Sequence, residues 1–259
     1  WRVNLNTLTL ENADPDNHLG ANLPRAVLVV SEAGVRYAYF AIGYTIQKAP
    51  MTATQLSGPP VTVADFSADL RYSRQLRTDT EGNLYWVTRA TGTSTAITAG
   101  QNGRLYRWNY ADTLGPNPTL TAANAAWEVL AAGDMQYMTG PAISPTDGNV
   151  YVGFANGSSV TPAATNGVYL VGNKADASIK RTLALTDRVI DLYGMGWHTS
   201  NVYTQLRTDP AGNVIVIDRN QEHIHAYTPG GVSNVRFTAP TSQALTINPL
   251  ANVDNWSIY

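Results

Sequence analysis

Gln75-Leu76-Arg77-Thr78-Asp79-Thr80-Glu81-Gly82-Asn83 returns 130 residues later as Gln205-Leu206-Arg207-Thr208-Asp209-Pro210-Ala211-Gly212-Asn213, identical at seven of nine positions. A weaker copy, Pro141-Ala142-Ile143-Ser144-Pro145-Thr146-Asp147-Gly148-Asn149, lies between them, its Gly148 66 residues after Gly82 and 64 before Gly212. Each copy leads through Gly-Asn into an alternating apolar run: Leu84-Tyr85-Trp86-Val87, Val150-Tyr151-Val152-Gly153-Phe154 and Val214-Ile215-Val216-Ile217. Gly and Asn tolerate the positive φ of tight hairpin turns. The β-branched and aromatic flanks read as strands. A chain that reuses a strand–turn–strand unit stacks copies of one supersecondary element.

Two further strands follow in each copy. Third strands are expected at 103–108, 167–171 and 223–227, and fourth strands at 127–130, 180–185 and 235–238. Four antiparallel strands per unit is the blade of a β-propeller. An earlier, degenerate blade runs from Ala26-Val27-Leu28-Val29-Val30 through Glu32-Ala33-Gly34 to an outer strand at 61–66. A sandwich seldom repeats its sequence, and a solenoid coil is shorter than these units. The chain therefore reads as one all-β propeller domain over 1–259, with blades at 26–66, 75–132, 140–185 and 205–239. Residues 1–12 and 244–259 read as parts of a blade, with Trp1-Arg2-Val3-Asn4-Leu5 as an outer strand. The termini are expected at an incomplete blade or paired with sequence outside the chain.

Composition narrows the function classes. The net charge is −2 and 14% of residues are charged, with no basic stripe, so nothing draws nucleic acid or an anionic membrane from a distance. With no cysteine there is no disulfide, thiolate zinc site or cysteine nucleophile. No apolar run reaches the roughly 18 residues of a membrane helix, so membrane insertion is not expected. Convincing helical periodicity is absent; 120–126 offers one or two turns at most. Low charge with abundant neutral polar residues suits an extracellular, cell-surface or virion location.

The unit Asp209-Pro210-Ala211-Gly212-Asn213-Val214-Ile215-Val216-Ile217-Asp218, continuing to Ile224 and Tyr227, resembles the NHL repeat. Gln221 and His223 stand where that family has Asn and Arg. Residues 76–88 match the first half only, and 142–154 match more loosely. The resemblance implies a propeller that serves as a platform for protein, carbohydrate or RNA. Related propellers include lactonases and a lyase, which hold metal-ligating Glu, Asp, Asn or His on inner strands around a central channel. Fold alone does not choose among these.

Three residue sets are candidate sites. Gln75 and Arg77, with Gln205 and Arg207, alternate onto one strand face, where Arg77 and Arg207 can hold an anion or polar ligand at the channel mouth. The structural alternative is that they fix the spacing of neighbouring blades. Repetition of the whole string favours that alternative, since structural roles recur by blade and a ligand site seldom does. The connector 186–204 gathers Asp187, Asp191, Tyr193, Trp197, His198 and Tyr203. Aromatic rings beside Asp and His suit sugar recognition; the alternative is a loop whose Trp197 packs between blades, as the similar Asn255-Trp256 suggests. His223 and His225 share a strand face and could share a metal, but they lie away from the channel. No Gly-x-Ser-x-Gly, His-Glu-x-x-His or phosphate loop occurs. Acidic residues near the turns read as turn caps. Ser144-Pro145-Thr146-Asp147-Gly148, faintly like a sialidase Asp-box, reads as a turn too.

The resulting expectation is a non-enzymatic extracellular or virion-surface recognition or structural module. It binds a glycan or protein partner through Asp191, Tyr193, Trp197, His198, Arg77 and Arg207, with no catalytic residue, metal or cofactor assigned. It is compatible with a homo-oligomer or filament. Two alternatives stand beside it: a lactonase-like hydrolase with a channel-bound divalent cation, and a purely architectural domain of a filament or capsid.

Overall fold

A computed structural model of the protein describes residues 2–4, 9–11, 24–69, 71–90, 103–131, 137–155, 166–191, 205–218, 223–228 and 233–238. A short antiparallel pair, β1 (Arg2–Asn4) and β2 (Thr9–Glu11), comes first. The first blade is β3 (Ala26–Glu32), β4 (Val35–Ile42), β5 (Thr45–Met51) and β6 (Val61–Asp65), paired in that order. The second is β7 (Arg71–Thr78), β8 (Leu84–Ala90), β9 (Arg104–Trp108) and β10 (Trp127–Leu130). A single helical turn, α1 (Tyr110–Thr113), lies between its last two strands. In the third blade, β11 (Tyr137–Ile143), β12 (Asn149–Ala155) and β13 (Gly167–Asn173) are followed by β14 (Ile179–Thr182) and β15 (Arg188–Asp191). The fourth is β16 (Gln205–Thr208), β17 (Val214–Asp218), β18 (His223–Tyr227) and β19 (Ser233–Thr238). The architecture is a β-propeller of four-stranded antiparallel blades.

Three expectations need correction. The fourth strand of the third blade is Arg188–Asp191, which pairs with β13, and not 180–185. Ile179–Thr182 instead runs parallel to β10, the outer strand of the second blade. Ser178 and Ile179 donate to the Ala126 carbonyl, Leu183 to that of Leu130, and Ile179 packs on the core between the two blades. The chain thus stitches two blades together before a 3-10 turn at Leu185–Asp187 returns it to its own. The N-terminal strand Arg2–Asn4 pairs with Thr9–Glu11 and not, among the described residues, with a blade. A helix of four residues falls at 110–113, where none was expected, while 120–126 holds a single turn closed by the Ala125 N–H on the Thr121 carbonyl.

The core lies in layers between blades. Tyr39, Ala41 and Phe66 of the first blade meet Leu76, Trp86, Tyr106 and Trp108 of the second. Tyr85, Val87, Leu105 and Trp127 meet Val150, Val152, Phe154 and Tyr169 of the third. Ala142, Tyr151 and Ile190 meet Leu206, Val214, Val216 and Tyr227 of the fourth. Period-2 alternation sends successive residues of a strand into successive layers. That is why these strands read as apolar on both faces. Trp86, Tyr106 and Trp108 stack with centroids 5.7–6.3 Å apart.

The two nearly identical strings form equivalent loops, and the third forms a related loop one residue longer. Gly82, Gly148 and Gly212 have φ of 83°, 74° and 85°. The loops are longer than the two-residue turns expected, since Thr78 faces Leu84 and Thr208 faces Val214 across them. Asp79 accepts the backbone N–H of Glu81 and Asn83 and the Asn83 side-chain amide; Asp209 repeats the set with Ala211 and Asn213. Asn therefore serves these loops through its side chain. Asp147 does the same for Asn149, so the Asp-box-like string is a turn, as read.

Candidate functional site

Antiparallel alternation sorts the blades into two ends. The Gly-Asn loops gather at one, here the turn end. From the opposite end, β8, β10, β12 and β15 lead into 91–102, 132–136, 156–165 and 192–204.

Carboxylates of the turn end are occupied. Tyr85 donates its hydroxyl to Asp79, 3.0 Å away, so both Asp79 oxygens are saturated. Burial, then the Asp79 charge, push the Tyr85 phenol far up. Tyr85 sits opposite Arg107. The Arg107 guanidinium lies 5.8 Å from the Tyr85 ring and 4.9 Å from the Trp127 ring, and donates to the Asp176 carbonyl of the third blade at 2.7 Å.

The first blade repeats this device with other residues. Tyr39 sits opposite Lys48. The Lys48 ammonium, 0% exposed, lies 2.8 Å from both oxygens of Glu32, which is 4% exposed. It also lies 2.8 Å from the Thr113 carbonyl and 2.6 Å from that of Gly115, both in the second blade. Tyr39 shares its hydroxyl between Glu32, at 3.2 Å, and the Thr113 carbonyl, at 3.0 Å. Burial pulls Lys48 below its ordinary value against the opposing pull of Glu32, and burial followed by the Glu32 charge pushes Tyr39 far up. In both blades a cation on the third strand, seated against a tyrosine over the turn carboxylate, reaches carbonyls of the next blade. In the third blade Tyr151 faces Leu170, and the cation is lost. Recurrence makes these sets inter-blade clasps.

Beside the first clasp, a cavity of about 200 Å³ opens between the first and second blades at the turn end. Glu32, Tyr39, Thr78, Asp79 and Tyr110 are among its walls. Sequence reading missed Lys48 and this cavity, because Thr45–Met51, with its Lys and Pro, lacks the alternation of the other strands.

The residues singled out by sequence are described in part. Arg77 and Arg207 hold equivalent places and donate to the carbonyls of Leu76 and Leu206, at 3.1 and 2.8 Å. Gln75 accepts the N–H of Gly140 in the next inner strand at 3.0 Å, and Thr208 donates to the Ile143 carbonyl at 2.7 Å. Gln75 and Thr208 thus bridge neighbouring inner strands. Asp191 closes β15, half-exposed, at the end opposite the turns and 3.0 Å from Arg188. The connector is shorter than 186–204, because a 3-10 turn and β15 occupy its first residues. Tyr193, Trp197 and His198 lie outside the described residues, as do the side chains of His223 and His225. Among the described residues no three of His, Cys, Asp and Glu gather where they could hold a metal ion.

No protein-family model matches the chain, and no curated protein does. Solved structures do. The calcium-binding protein regucalcin from Agrobacterium tumefaciens str. C58 is similar at 15% identity and a TM-score of 0.55, over 83% of this chain and 60% of that one. A luciferin-regenerating enzyme is similar at 13% identity and a TM-score of 0.52, over 82% of this chain and 61% of that one. This chain thus spans about three fifths of the length of each. At such identities the likeness is one of fold, and by fold the chain is a β-propeller.

Proposed function

We propose that this protein is a ligand-binding β-propeller that recognises a glycan or protein through the end opposite the turns. The observation that carries this reading is the chemistry of the four inner strands. Across β3, β7, β11 and β16 there is one carboxylate, Glu32, and it is committed to Lys48. The turn carboxylates are filled by their own loops. A divalent cation of the lactonase kind finds no ligand set among these residues, and no hydrolytic step is derived through one. The connector with Asp191, Tyr193, Trp197 and His198 leaves the end opposite the turns and supplies aromatic and polar groups suited to a sugar or a peptide. A location outside the cell and NHL-type kinship belong to the same proposal, supported by low charge and by the repeat around residues 209–227. Screening the protein against immobilised glycans tests it. Trp197→Ala should weaken any binding by about 2 kcal/mol or more with the melting temperature kept. Unchanged binding with a large fall in melting temperature would make Trp197 a packing residue.

A second reading is a lactonase-like hydrolase with a channel-bound divalent cation. The comparisons favour it over the first, because a calcium-binding protein and an enzyme share this fold over more than four fifths of the chain. Its metal ligands would have to come from outside the four inner strands. Stoichiometric metal with chelator-sensitive hydrolysis of lactones would establish it.

A further inference from the structure

The loops at the turn end meet their neighbours in three ways. Where the fourth blade joins the third, Gly212 is seated on the preceding turn: a Cβ there would lie 2.3 Å from Thr146 Oγ1 and 3.1 Å from Ser144 Oγ. Where the third joins the second, Lys174 fills the junction. Its side chain lies 3.0 Å from the Cβ position of Gly148, and its ammonium reaches Thr80 at 2.8 Å and Glu81 at 3.0 Å. Where the second joins the first, the residue equivalent to Thr146, two before the turn glycine, is Glu32. Lys48 draws the Glu32 carboxylate back into the first blade; the Tyr110 ring packs on Gly82, 2.8 Å from its Cβ position, and a space stays open between that ring and the first blade. A buried ion pair is expensive to desolvate and seldom stabilises more than an apolar replacement. Here it keeps the Glu32 carboxylate out of the cavity beside Tyr110.

We propose that this cavity binds one small, neutral, hydroxyl-rich molecule, a single sugar ring or a cyclic polyol. Size sets the upper bound. An apolar cavity of about 150 Å³ takes a benzene ring, so about 200 Å³ takes one six-membered ring with its substituents. Wall chemistry sets the class. Asp79 has no lone pair to spare, and the charge of Glu32 is met by Lys48. A charged ligand therefore gains little. The hydroxyls of Ser31, Thr78 and Thr80 both donate and accept, as sugar hydroxyls require. Tyr110, partly exposed, supplies a ring for the apolar face of such a molecule. This site lies at the opposite end of the blades from the connector of the proposed function and does not depend on it.

The test is saturation-transfer NMR and calorimetry with glucose, galactose, mannose and myo-inositol on the whole chain. At least one should bind. Val29→Trp, at a position 52% exposed on the cavity wall, should plug the site and weaken that binding at least tenfold. Thr78→Val should weaken it several-fold without change of shape, and Trp197→Ala should leave it alone. Near-UV circular dichroism checks that each variant is folded. Binding by none of the four, or equal binding by the folded Val29→Trp and Thr78→Val variants, overturns the proposal.

Discussion

Lys48 is where the sequence is least explicit and the structure most constrained. Its three N–H groups face a carboxylate 16 positions away and carbonyls 65 and 67 positions away. No local pattern encodes such contacts. Lys48→Met leaves Glu32 buried without a counter-charge and should cost about 3–5 kcal/mol in urea unfolding. Adding Glu32→Leu should recover much of that loss, because the cost lies in the orphaned charge. Alkaline pH probes the same cluster. The native pKa of Lys48 lies below its ordinary value, so the unfolded chain binds more protons in that window, and this group makes stability rise with pH up to about 10.4. The phenols of Tyr39 and Tyr85 are raised, so their stabilisation is complete below about pH 10 and is lost above it, as the unfolded chain ionises first. Urea unfolding from pH 8 to 11.5 should show that fall, and Tyr85→Phe should reduce it. An equal alkaline loss in Tyr85→Phe would refute this assignment.

At the scale of the element, the loops were legible and the outer strands less so. Asp79, Gly82 and Asn83 solve a local problem: one positive φ and three backbone or amide donors within four residues. Residues that act over such short spans recur as a string, and the string located three blades. Ile179–Thr182 misled because it carries strand-like alternation, yet its partner is chosen by the apolar layer between the second and third blades. Glycine's role separates by surroundings. Gly212→Ala meets both a positive φ and a Thr146 hydroxyl at 2.3 Å, whereas Gly43→Ala, at φ 55°, meets nothing within 4 Å. The first should destabilise by about 2–4 kcal/mol and the second by about 1. Equal losses in melting temperature would contradict the seating of Gly212 on the preceding turn.

At the scale of the molecule, the alternation of each strand feeds two inter-blade layers, and polar clasps tie the turn end of the first three blades. The sequence reading of a propeller follows from that regularity. The candidate ligand surface followed less well. Arg77 and Arg207 hold equivalent places, each donating to the carbonyl of the residue before it in its own strand, and Asp191 ends a strand instead of lying in a loop. What the molecule does turns on whether it holds a metal, since the calcium-binding protein regucalcin shares this fold. The direct measurement is elemental analysis of the purified protein after exposure to calcium and zinc, joined to a lactone-hydrolysis assay with and without chelator. The binding-platform account predicts well under one ion per chain and no chelator-sensitive turnover. One tightly held ion per chain together with hydrolysis abolished by chelator would contradict it and establish the hydrolase.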